Sequence, residues 1–157
     1  MYNLRKDLLY TLSIQLVIML VGLFINKLLS NHLSVEDFGT YNILKRSASV
    51  LGFSLLCGMG IALPKFIPMA KNSDDKKNYV NSSLVIILGL TLLFTLIIGL
   101  FADYLSKIIY NQENYVLIIL TLIYGIGICF TSYLYAFYRA IDKSKKFSLS
   151  QFFVQLG

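Results

Sequence analysis

The sequence predicts an all-α fold, a polytopic membrane helical bundle with four complete transmembrane helices plus the start of a fifth. Three observations carry this. The 157 residues are 57% hydrophobic and only 14% charged, whereas soluble domains carry about 25% charged residues. The apolar residues come in blocks, and residues 8–26, 47–64, 79–102 and 115–138 contain no charge at all. Each block reaches the roughly 18 residues that mark a span, because ~20 helical residues cross a ~30 Å hydrocarbon core. Short polar connections separate the blocks. Buried helices of a large soluble protein do not fit, since they are shorter and keep polar faces.

The first helix is expected at about residues 8–29. Arg5 and Lys6 precede it. Its apolar run exceeds the ~7–15 residues of a signal-peptide core and no small-residue cleavage site follows, so it reads as a retained span. The linker "NHLSVEDFGTYN" comes next, with Ser34 placed as a helix cap ahead of Glu36 and Asp37. The second helix is expected at about 41–63, ending at "LPKFIP", where Pro64 and Pro68 disfavour continuation. The loop "KNSDDKKN" leads to a third helix at about 80–102, and "KIIYNQEN" to a fourth at about 115–138. After "RAIDKSKK" a fifth apolar run opens at about residue 147 and the sequence stops at Gly157. A natural terminus seldom falls there, so the reading expects a partial chain; the alternative is an amphipathic tail in the interface.

Net charge is +6. That charge sits in the loops between spans, so the positive-inside rule accounts for it without nucleic acid. With a cytoplasmic N-terminus, the inner side carries Arg5, Lys6, Lys65, Lys71, Lys76, Lys77, Arg139, Lys143, Lys145 and Lys146. The outer side carries Lys27, Lys45, Arg46 and Lys107.

The polar positions then decide what the bundle can do. Cys57 and Cys129 lie within apolar spans and read as packing residues. His32 is alone in a loop, and no Cys/His ligand spacing occurs. No metal, cofactor or catalytic residue is therefore expected. No paired carboxylates sit within a span, and Gly58 and Gly60 lack the context of a phosphate loop, so they read as sites of close packing or a bend. At 100° per residue, Gln15, Gly22 and Asn26 share a stripe on the first helix. Asn42, Arg46, Ser49 and Gly60 share one on the second, and Thr121, Gly125, Ser132, Tyr135 and Arg139 on the fourth. The third helix carries only Thr91 and Thr95 and reads as the most lipid-facing.

Small and hydroxylated residues suffice for helix packing. Lys45 and Arg46 need more, because a cation at the centre of a span costs roughly 2.5–3.5 kcal/mol. Two readings compete: long side chains snorkelling to the outer headgroups, or a water-filled cavity that holds an anion. The polar neighbours Asn42 and Ser49 on the Arg46 stripe favour the cavity, and Lys27 can join the same cluster.

Three stretches resemble a known family. They are "NKLLSNHLSVEDFGTYNILKRSASV", with Asp37, Phe38, Gly39 and Tyr41 as an acidic-Phe-Gly-x-Tyr signature, "CGMGIALPKFIPMA", and "YRAIDKSKKFSLSQ". In this order and spacing they resemble the Wzx-type polysaccharide biosynthesis flippases, within the multidrug/oligosaccharidyl-lipid/polysaccharide exporter superfamily. The resemblance covers nearly the whole chain. It implies that residues 1–157 are the N-terminal part of the first lobe of a two-lobe transporter in the bacterial cytoplasmic membrane, and not an enzyme. It implies an undecaprenyl-diphosphate-linked oligosaccharide as substrate, moved outward by alternating access. Membrane lipids, a polysaccharide polymerase and glycosyltransferases are the implied partners. By the same resemblance Arg46, Lys45 and Lys27 would receive the diphosphate, with Gln15, Asn26, Asn42 and Ser49 lining the cavity. Arg suits bidentate phosphate contact and Lys acts as a point charge. A drug/cation antiporter of the same superfamily would favour acids in the spans, and none is present. A small four-helix membrane accessory protein is the remaining alternative.

Overall fold

The structure is a computed structural model that describes residues 4–70 and 72–141, with side chains from Leu12 onward. The expected fifth helix lies outside the described residues. The described residues form six helices: α1 (Leu4–His32), α2 (Val35–Leu56), α3 (Met59–Met69), α4 (Ser73–Leu100), α5 (Ala102–Tyr110) and α6 (Tyr115–Ala140). Four stretches are long and apolar enough to cross a membrane: Leu12–His32, Val35–Met69, Ser73–Leu100 and Tyr115–Ala140.

Local chemistry sets the helix ends. Only Leu33 and Ser34 separate α1 from α2. The Ser34 hydroxyl accepts the Asp37 N–H at 3.1 Å and donates to the Asp37 carboxylate at 2.6 Å. This satisfies an amide that the helix start leaves open. His32 is the last residue of α1 rather than a loop residue. The N-terminal amides of α6 gain Asn114, whose side chain accepts from Val116 N–H at 3.1 Å.

The second span differs most from expectation. It is two helices broken at Cys57 (φ 47°) and Gly58 (φ 76°), both left-handed. Gly adopts this geometry readily, while a non-Gly residue there is uncommon. Gly58 therefore makes the bend, and Cys57 sits exposed at the turn instead of packing. Cys129 does pack, fully buried. Pro64 and Pro68 do not stop the chain either: α3 runs through both to Met69. Neighbouring helices tolerate such prolines in spans, and here Leu63 and Ile67 are buried beside them.

Helix α6 is the centre of the bundle. It packs most extensively on α2, then on α3, with α4 and α5 completing the ring. The α2–α6 crossing is made by small residues. A methyl group built on Gly52 would lie 2.8 Å from the Gly125 carbonyl oxygen, and one on Gly125 would lie 3.1 Å from the Ala48 carbonyl. Backbones this close require glycine on both helices. Beyond the crossing lies the core, formed by Leu55, Leu56, Leu63, Ile67, Ile87, Cys129, Tyr133, Ala136 and Ala140. The Tyr133 hydroxyl makes the polar contacts across it: it lies 2.9 Å from the Ser83 hydroxyl and donates to the Val80 carbonyl at 3.3 Å, while Ser83 donates to the same carbonyl at 2.8 Å.

Helix α1 is the least covered span, with none of its apolar stretch buried, against 11% for α4. Among the described residues α4 is therefore more covered than α1. The reason is topological: α4 is held by α3 and α6, while α1 packs chiefly along α2.

Candidate functional site

Helix α5 defines the end of the bundle where the candidate site lies. It is short and strongly two-sided. Its buried side carries Ser106 and Tyr110 and its exposed side Asp103, Tyr104 and Lys107. Ser106 Oγ lies 2.8 Å from the Gln112 and Asn114 carbonyls and accepts the Asn114 N–H at 3.2 Å. The Thr121 hydroxyl donates to the Leu117 carbonyl at 2.7 Å, so the Tyr110 phenol donates to Thr121. Burial pushes the Tyr110 phenol above its ordinary pKa, with the Thr121 hydrogen bond acting weakly against it. These bonds hold α5 across the start of α6. Gln112 also reaches Glu36 at 3.4 Å, which places the start of α2 at the same end.

Under this latch, between α2, α4, α5 and α6, is a cavity of about 550 Å³. Its α2 wall is Arg46, Ser47, Val50, Leu51 and Ser54. Phe94, Ile97 and Ile98 come from α4, Leu105 and Ile109 from α5, and Ile118, Thr121 and Leu122 from α6. Val50 is 69% exposed and Ile97 46%, so the cavity is a groove open along one side. Among the described lining residues Arg46 is the one that carries a charge. Among the described residues no acid pairs with that guanidinium; the ion pair they form is Lys107 with Glu113, at 3.0 Å on the surface.

The structure separates the adjacent cations. Arg46 turns to the groove. Lys45, 100° around the helix, instead lies 6.0 Å over the Tyr41 ring. The groove stripe on α2 is 46, 50 and 54, not the expected 42, 46 and 49. Asn42 donates to the Phe38 carbonyl at 2.8 Å, and Ser49 to the Lys45 carbonyl at 2.8 Å. Both side chains thus donate back to their own helix. Gln15, Asn26 and Lys27 are exposed on α1, and none lines the groove. Of the seven expected site residues, Arg46 alone contributes to it.

Several contributors escaped the sequence reading. Ala48 and Gly52 are spaced as a small-xxx-small pair, the signal for close helix crossing, and they meet Gly125, which the stripe on the fourth helix had already singled out. Ser106 and Tyr110 share one face of a nine-residue amphipathic segment, which the expected loop "KIIYNQEN" did not reveal. Among the described residues no group of three metal-ligating side chains comes together.

Comparison with known proteins agrees with this architecture at the family level. No curated protein and no solved structure matches the chain. The family described as polysaccharide biosynthesis protein matches residues 4–157. With four helices able to cross a membrane, this is a multi-pass membrane protein of a family of transporters rather than enzymes. The chain belongs to the polysaccharide biosynthesis protein family.

Proposed function

We propose that this chain forms part of a flippase that carries an undecaprenyl-diphosphate-linked oligosaccharide across the bacterial cytoplasmic membrane for surface polysaccharide synthesis. The observation that carries the reading is Arg46: an arginine without an acidic partner among the described residues, at an otherwise apolar groove in a member of this family. A guanidinium offers two parallel donors to a phosphate, and its attraction strengthens where water is scarce. Lys45 and Lys27 add positive charge toward the same end of the bundle. Gln15 and Asn26, exposed on α1, offer polar surface to the glycan.

The N-terminus is placed in the cytoplasm. The α5 end, with Lys27, Lys45, Arg46 and Lys107, then faces outward, and the end with Lys65, Lys76, Lys77 and Arg139 faces inward. A polymerase and glycosyltransferases are the expected partners on either side of the transport step. A drug/cation antiporter has no support from a groove in which the one charge among the described lining residues is an arginine.

The test replaces Lys45 and Arg46 with Gln, singly and together, in cells that depend on this gene for surface polysaccharide. Lipid-linked oligosaccharide reaching the outer leaflet is measured, with membrane abundance as control. The reading expects translocation to fall for Arg46→Gln at normal abundance. Unchanged translocation in the double variant would mean that the substrate's charge is held elsewhere.

A further inference from the structure

The end of the bundle opposite α5 carries cations that the groove does not use. Helices α3 and α4 form a tight hairpin there, α3 ending at Met69 and α4 starting at Ser73. The Phe66 and Tyr79 rings stack across the hairpin, with centroids 6.1 Å apart and planes 26° from parallel. Both residues are 45% exposed. Leu63 and Ile67 turn the other face of α3 into the core, so among the described residues the stack lies on the outside of the hairpin. Lys65 stands beside it, with Nζ 5.6 Å from the centre of the Phe66 ring.

Sequence and contact together give the level of this face. Tyr79 opens the uncharged run 79–102, and Lys76 and Lys77 precede it. The stack brings Phe66, and Lys65 with it, level with Tyr79. Helix α6 reaches the same boundary: Tyr133 donates to the Val80 carbonyl, and Arg139 follows ~9 Å further along the helix. Tyrosine and cations at the edge of an uncharged run mark the headgroup region.

The charges of this face are not spent on acids. Asp74 and Asp75 lie in the first turn of α4, where the helix dipole favours carboxylates. The ion pair that the described residues form, Lys107 with Glu113, is at the other end. Lys76 lies about 60° around α4 from Tyr79 and one turn nearer the end, whereas Lys77 lies about 160° away. Lys65 and Lys76 therefore flank the stack, and Lys77 does not. One turn from Tyr79 toward the bilayer centre, exposed Ser82 offers a hydroxyl. Beyond it the surface is apolar, with Ile61 79% and Ile86 44% exposed.

From this layering we infer that the Phe66–Tyr79 face of the α3/α4 hairpin binds an anionic phospholipid of the surrounding bilayer. Its phosphate meets Lys65 and Lys76, where lysines near a membrane surface attract anionic lipid. Its ester groups reach Ser82, and its acyl chains pass the rings to lie over Ile61 and Ile86. Cation, hydroxyl and apolar surface follow in the order in which a phospholipid presents phosphate, ester and chain. A lipid bound across both helices staples α3 to α4 and stabilises the fold by mass action. This lipid is a fixed companion and not the transported molecule, so the inference stands apart from the flippase reading.

The experiment uses the whole protein in detergent micelles, with phosphatidylglycerol as the probe and phosphatidylcholine as the neutral reference. Bound lipid is counted by native mass spectrometry, and the melting temperature is followed in parallel. Phosphatidylglycerol is expected to bind and to raise the melting temperature, and phosphatidylcholine to do neither. Lys65→Gln and Lys76→Gln should each weaken binding about fivefold, and the pair about thirtyfold. Lys65→Arg keeps the charge and should keep the binding. Lys77→Gln removes the same charge from the other side of α4 and should leave binding nearly unchanged. All these positions are exposed, so the variants test the surface and not the core. Three results would overturn the inference. Phosphatidylcholine binding as tightly would remove the role of charge. An equal loss in Lys77→Gln and Lys65→Gln would leave only a general attraction to positive protein. Competition by soluble glycerol phosphate as strong as by the lipid would leave only an anion site.

Discussion

Where α3 meets α6, side chains from α2, α3, α4 and α6 close into a core. Toward α5, α2, α4 and α6 part around a groove of about 550 Å³. The closed half holds Cys129 and Ala136 with no exposed surface and ties α4 to α6 through Ser83 and Tyr133. The open half holds a cation without an acidic partner among the described residues and leaves Val50 largely uncovered. The Gly52–Gly125 contact lies between them and serves both. It draws α2 onto α6 tightly enough to build the core, and it fixes how far α4 and α5 must stand off to form the groove. Close packing is concentrated in one half, and the cation without an acidic partner among the described residues stands in the other.

The largest expected effect comes from breaking the contact between the halves. Gly52→Leu places a side chain where even a methyl group meets backbone at 2.8 Å. Unfolding in detergent should show a loss of at least the about 1–3 kcal/mol typical of an overpacked site. The control is Gly89→Leu, on a glycine with nothing within 4 Å of a new methyl group. It should be close to neutral, and equal losses in both variants would refute the close-crossing account.

Next in size is the loss of translocation on Arg46→Gln, about tenfold or more if a charge-assisted phosphate contact worth ~1.5–3 kcal/mol disappears. Lys45→Gln should lose less, because Lys45 turns toward Tyr41 and away from the groove. A reversal of that order would place the anion on the other face of α2.

A smaller effect tests the closed half alone. Tyr133→Phe removes one buried hydroxyl but leaves Ser83 bonded to Val80. Hydrogen bonds between membrane helices average about 0.6 kcal/mol and reach about 1.7. A stability loss in that range with translocation unchanged would sharpen the division of labour. The smallest effect is expected from Lys107→Ala, since the Lys107–Glu113 pair is 68% and 73% exposed. Surface pairs of this kind contribute about 0–1 kcal/mol. A larger loss would make α5 depend on that pair instead of on Ser106 and Tyr110.

How much was legible in the sequence follows the range of the forces. The four spans and the Ser34 cap depend on residues within one turn or one uncharged run, and both were readable; Gly58 was read as a site of either close packing or a bend, and the structure makes it the bend. The family is carried by short motifs in the loops. Lys45 and Arg46 stood out from their cost in hydrocarbon, but their separation did not. A stripe drawn on a lone helix gives the angle between residues and not the direction of the neighbour. Only the docking of α6 against Ala48 and Gly52 turned Arg46 toward α4 and α5 and left Asn42 and Ser49 bonded to their own helix. The prolines show the same limit, since the packing of Leu63 and Ile67 kept α3 helical through Pro64 and Pro68. The sequence by itself determined that this chain lives in a bilayer, how many times the described residues are able to cross it, and that Ser34 caps the second helix. Tertiary structure alone decided which cation shares the groove, because helix docking is set by contacts between residues far apart in the chain.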